Sequence, residues 1–144
     1  MRAASLIAGL LAVAGTAQAA CVDIAADGDW RALPGTGPII EVYAAGTWRA
    51  DPALRPVGPG GHLGEDTAAA APRIAQGYPL GALLIANEAK RVWSYRDFGR
   101  VVMGGLLSGR LVTTGRLFAR INDAPDAMAD NSGAVTLCLE RVSE

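Results

Sequence analysis

The chain has 144 residues, 51% of them hydrophobic and 19% charged, and its 13 basic and 14 acidic residues leave a formal net charge of −1. The basic residues, nearly all Arg, fall singly and form no stripe, which argues against a nucleic-acid partner. The length suits one domain.

Met1-Arg2 gives a positive start, and Ala3 to Ala14 is an apolar run containing Leu6, Ile7, Leu10, Leu11 and Val13. Thr16-Ala17-Gln18-Ala19 then puts small residues at −3 and −1 of a cut after Ala19. Residues 1–19 therefore read as a secretory signal peptide and 20–144 as a single domain, secreted or periplasmic. A lipoprotein signal with Cys21 lipidated fits less well, because Gln18 stands where a branched aliphatic residue is wanted. No other segment is long and apolar enough to span a bilayer.

After this leader the apolar runs are short and punctuated by Gly, Pro and Asp. Strands are predicted at Val22-Asp23-Ile24, at Pro38 to Ala44 with Ile40, Val42 and Ala44 on one face, and at Gly81 to Ala86, buried on both faces. Val101-Val102-Met103 and Leu111-Val112-Thr113 are weaker candidates, and Arg116 to Ile121 and Ala134 to Leu139 complete the set. No long amphipathic helix is predicted. Gly64 to Gly77 has no assignment, although Ala68 to Ala71 suits a helical turn that Pro72 would interrupt. Short strands separated by turn signals predict an all-β sandwich.

Cys21 and Cys138 lie at opposite ends of an exported chain, where disulfides are permitted. If Val22 and Ile24 face the core, Cys21 faces away. If Val135, Leu137 and Leu139 face the core, Cys138 faces away too. Two paired terminal strands would then hold both sulfurs on one side, which predicts a Cys21–Cys138 bridge. The alternative is two free thiols, or pairing with a partner's chemistry.

The richest segment is Asn122 to Gly133, between the last two predicted strands. Asp123, Asp130 and Asn131 place oxygen-bearing side chains at its two ends, and a loop between antiparallel strands can bring those ends together. Hard cations such as calcium take several oxygen ligands, with carboxylates, amides and backbone carbonyls mixed. Asn, Asp, Pro and Gly are equally the ordinary residues of turns, so on residue types alone the loop reads as a cation site or as a plain turn.

The order strand, Asn122-Asp123, Asp130, Asn131-Ser132-Gly133, strand resembles the calcium-dependent galactophilic lectin family of Pseudomonas, the lectin I type. Ala44-Ala45-Gly46-Thr47-Trp48, Val57-Gly58-Pro59-Gly60-Gly61, Leu80 to Ile85 and Gly115-Arg116-Leu117-Phe118 resemble, in the same order, that family's Trp-containing turn, Gly-Pro-x-Gly loop, Gly-Ala-Leu strand and penultimate strand. The resemblance implies a jelly-roll-like antiparallel β-sandwich, similar to galactose-binding domains. It also implies a calcium ion held by the side chains of Asp123, Asp130 and Asn131 and by the backbone carbonyls of Ala127 and, with uncertain register, Asp51. Two vicinal sugar hydroxyls complete the family's calcium shell, and Asp123 and Asp130 would accept hydrogen bonds from them.

The family has Asn at the position of Asp130. Its His and Gln contacts to the sugar's exocyclic hydroxyl are not matched here: the His position falls near Glu65, and His62 is three residues early. Glu65 and Trp48 complete the expected sugar-binding set. The expected function is calcium-dependent carbohydrate binding by a secreted, non-enzymatic domain, with oligomerisation left open. The alternative is a structural or adhesive envelope module in which calcium, if bound, only stabilises the loop.

Other signals carry less. Gly58 to Gly64 is glycine-rich but lacks the strand-turn-helix context of a nucleotide cradle. Asp97-Phe98-Gly99 matches a kinase triplet without any other kinase element. His62 with Glu65 and Asp66 is read as solvated loop side chains before a second metal site. Glu65 and Asp123 could in principle form a glycosidase pair, but nothing in the sequence places them together.

Overall fold

A computed structural model describes residues 17–63 and 71–143. Seven strands run in the order β1 (Ala17–Ala25), β2 (Arg31–Ala32), β3 (Ile39–Arg49), β4 (Leu83–Asn87), β5 (Val92–Ser94), β6 (Leu117–Ile121) and β7 (Ser132–Val142), with a helix, α1 (Tyr95–Ser108), between β5 and β6. They form two antiparallel sheets, ordered β1-β7-β3 and β2-β6-β4-β5. The fold is thus an all-β sandwich.

The inner face of the first sheet presents Ile24, Ile39, Trp48, Val135, Leu137 and Leu139, all at or below 2% exposure. The second answers with Leu83, Ile85, Leu117, Ala119 and Ile121, each fully buried. This two-residue alternation is what a sheet with one face on a core requires. In β4 Leu84 and Ala86 on the other face are also buried, as its unbroken apolar run predicts.

Three expectations are corrected. Ile39, not Ile40, is the buried residue at the start of β3, because the register shifts between Ile39 and Glu41. Such a bulge inverts the parity on one side of it; beyond the bulge Val42 and Ala44 do pack on the core. The larger correction concerns Val101-Val102-Met103, which lies inside α1 and not in a strand. Ser94 caps this helix by accepting a hydrogen bond from the Asp97 amide at 3.2 Å, and Gly109, with φ 69°, ends it. Both devices supply partners for backbone groups that a helix end leaves unsatisfied. Phe98 and Val102, one turn apart, are its buried residues, and it packs on β3, where the Tyr95 hydroxyl accepts from the Ala44 amide at 3.1 Å. Leu111-Val112-Thr113 forms no strand; Val112 makes a single bridge to Ile39.

Cys21 and Cys138 are joined, directly opposite in the β1–β7 ladder with Cα atoms 4.0 Å apart. The bridge lies on the outer side of its sheet, as strand parity predicts. β1 begins at Ala17, ahead of the expected cut after Ala19, so cleavage there would leave Ala20–Ala25 as the terminal strand. The rest of the expected leader lies outside the described residues, as does the first half, 64–70, of the unassigned Gly64–Gly77 segment. No helix among the described residues is long and apolar enough to cross a membrane.

Candidate functional site

The loop between β6 and β7 is built around a short 3-10 turn, Pro125–Asp130, with Pro at its first position. Pro suits that position because its fixed φ and missing N–H cost nothing there. At the exit Gly133, with φ 86°, lets β7 pass close to β3. A Cβ there would lie 2.8 Å from the Thr47 carbonyl oxygen and 3.0 Å from Trp48 Cα.

Two residues that the sequence reading left without a role hold this loop in place. Asn122 is wholly buried. Its Oδ1 accepts from the Ala75 amide at 2.9 Å, and its Nδ2 faces the carbonyls of Ala75, Tyr78 and Pro79 at 3.0–3.1 Å. It knots the 75–79 segment to the end of β6. Arg120, 2% exposed, points to the opposite face of β6 from Ala119 and Ile121. Its Nε donates to the Ile121 carbonyl at 3.0 Å and its Nη2 to the Asp123 carbonyl at 3.0 Å, with Met128 Sδ 3.2 Å away. Nη1 reaches the exposed Asp29 at 3.2 Å, and the guanidinium lies 5.8 Å from the Trp30 ring centroid. A basic residue in an otherwise apolar strand, followed at once by Asn-Asp, was the available signal for both.

The expected ligand residues divide. Asp123 and Asn131 are buried, 3% and 7% exposed, and they are neighbours, although they stand at opposite ends of the loop. Asp123 Oδ1 accepts from the Ala124 amide at 2.8 Å. Asn131 Nδ2 donates to the Ala26 carbonyl at 2.9 Å. The remaining oxygens, Asp123 Oδ2 and Asn131 Oδ1, are both buried without a hydrogen-bond partner. Asp130 is exposed, yet its charge is felt at Asp123. Ala127 is exposed on the 3-10 turn, its amide donating to Ala124 O at 3.0 Å.

Asp51 sits in the turn after β3, where its side chain accepts from the Ala53 amide and its carbonyl from Leu54. No contact described joins it to Asp123 or Asn131. Trp48 is a core anchor, 1% exposed, with its indole N–H donating to the Gly81 carbonyl at 2.7 Å. Its ring faces are enclosed by the protein and are not presented as a sugar platform. Glu65 lies outside the described residues.

Burial pushes the Asp123 carboxyl above the ordinary carboxylate range. The Asn131 amide and the Ala124 N–H pull it down, Asp130 raises it, and Arg120 lowers it. Desolvation wins because Arg120 spends its donors on backbone carbonyls and Asp29. The two unpartnered oxygens are both acceptors, so neither satisfies the other. Among the described residues no three His, Cys, Asp or Glu side chains converge. A cation at this point would therefore rest on carboxylate, amide and backbone oxygens, the donor set of calcium and not of zinc.

No protein-family model matches this sequence, and no curated protein matches it.

Proposed function

We propose that the chain is a calcium-dependent carbohydrate-binding domain of the exported compartment, with its ion in the Asn122–Gly133 loop. The observation that carries the reading is the pair of buried, unpartnered oxygens on Asp123 and Asn131. An unsatisfied buried acceptor costs about 1–3 kcal/mol, more for a charged one, and a divalent ion would remove that cost at both atoms. The exposed Asp130 carboxylate would face the ion from the solvent side, and calcium's 6–8 ligands leave positions that two neighbouring sugar hydroxyls can fill. The family resemblance supplies galactose as the first sugar to try, and the Cys21–Cys138 bridge suits an oxidising compartment.

The burial of both oxygens also favours a second reading. An ion enclosed that deeply could serve only to stiffen the loop of a structural or adhesive module. Calorimetric titration of calcium into chelator-stripped protein, followed by galactose and a sugar panel, separates the two. One calcium followed by sugar heat that chelator abolishes supports the lectin. Calcium without sugar heat supports the structural module. No calcium heat overturns the calcium-dependent lectin and leaves the loop as a turn.

A further inference from the structure

At the far end of β7 from the loop stands a second unpaired group, of the opposite charge. Arg141 follows Val135, Leu137 and Leu139 in the inward-facing row of β7 and is 7% exposed. Its Nη1 donates to the Gly37 carbonyl at 2.6 Å. Its Nε and Nη2 are buried and have no partner among the described residues, and no described carboxylate pairs with it. The Pro34–Gly37 loop folds over the side chain. A Cβ on Gly35, whose φ is 79°, would lie 2.9 Å from Arg141 Cδ and 3.1 Å from Nε. Only glycine tolerates both that φ and that approach. Beside the guanidinium is a cavity of about 350 Å³, bordered by Ala20, Thr36 and Ser143.

Arginine does not shed its proton in a protein, so burial leaves a full positive charge out of water with half its fork unused. Buried charges are ordinarily paired. Nε and Nη2 form the edge of the guanidinium whose two N–H bonds run parallel, the geometry that meets two oxygens of one carboxylate or sulfate. We propose that Arg141 and the Pro34–Gly37 loop form a binding site for a small oxyanion, with a carboxylate as the best geometric match. The site is independent of the calcium loop, since the length of β7 separates them.

The test is an NMR titration that follows the Arg141 Nε–Hε resonance as sodium acetate, sodium sulfate or sodium chloride is added at constant ionic strength. The expected result is a saturable downfield shift with acetate or sulfate, absent with chloride, together with Gly35 and Gly37 amide shifts that are lost in Arg141→Gln. The tighter of the two oxyanions identifies a carboxylate or a sulfate group as the ligand. Equal small shifts with all three salts would overturn the site. So would an Hε already hydrogen-bonded before any oxyanion is added, which would mean an internal partner such as Glu144. If Arg141→Gln does not fold, the wild-type titration still decides.

Discussion

Arg120 donates its Nη2 hydrogen bond to the backbone carbonyl of Asp123, at 3.0 Å, and makes no ion pair with the neighbouring carboxylate. The buried guanidinium beside the loop thus fixes its path while leaving Asp123 Oδ2 unsatisfied. Asp123→Asn keeps the shape and removes the charge. Calcium affinity is expected to fall by more than about 100-fold, since losing an ion ligand should exceed the 10–100-fold cost of losing a supporting residue. The calcium-free variant should melt no lower than wild type at neutral pH. Calorimetry and thermal melts with and without chelator check both; unchanged calcium affinity would remove Asp123 from the site.

The raised pKa of Asp123 gives a pH dependence of definite sign. The folded, ion-free protein holds this proton more tightly than the unfolded chain does. The stability that the neutral carboxyl contributes is full below the unfolded carboxylate pKa and is lost as pH rises through the higher folded value. Calcium needs the ionised form, so its affinity should weaken as pH falls through that same value, with proton release on binding. Calcium titrations in buffers of different ionisation enthalpy measure the release. A proton count of zero near the raised pKa would contradict it.

Arg120→Met should destabilise the fold by about 2–4 kcal/mol, because two buried carbonyls lose a charged donor. The ion pair with Asp29 adds little, since Asp29 is 85% exposed. Denaturant unfolding measures the loss, and limited proteolysis should place the new cleavage in the 3-10 turn. A loss below about 1 kcal/mol would show that the guanidinium does not hold this loop.

Reduction of Cys21–Cys138, or the double change to Ser, should lower stability by about 4–5 kcal/mol if chain entropy dominates, because the bridge spans 117 residues. Unfolding curves with and without reductant give the number. The bridge lies on the outer face of its sheet, away from the 122–133 loop, so calcium binding, where it occurs, should survive in whatever fraction remains folded.

Strand periodicity and parity were legible because each strand spends alternate residues on a core. Ile24, Val135, Leu137 and Leu139 could be assigned inward, and Cys21 with Cys138 outward, before any pairing was known. The helix was hidden because Gly99, Gly104 and Gly105 lower its propensity, and because Val101, Met103, Leu106 and Leu107 are exposed apolar residues that blur its stripe. Its true markers were the caps, Ser94 and Gly109. At the loop, Asp123 and Asn131 could be chosen by type and spacing. The inward position of Trp48 and the knot made by Asn122 depend on contacts with Gly81 and with residues 75–79, distant in sequence and set only by the tertiary fold.

The bridge between β1 and β7 bears on how the chain reaches its native state. Side-chain parity means that a slip of β1 along β7 by one residue would turn Ile24 outward, and the covalent bond between directly facing residues forbids that slip. Once oxidised, the chain is a closed circle whose first and last strands are already adjacent. The most distant pairing in the sequence then becomes local, and the entropy of bringing the ends together is settled before the sandwich closes. Oxidised refolding should for that reason outpace refolding of the reduced chain, with the β1–β7 ladder as the seed on which the second sheet assembles.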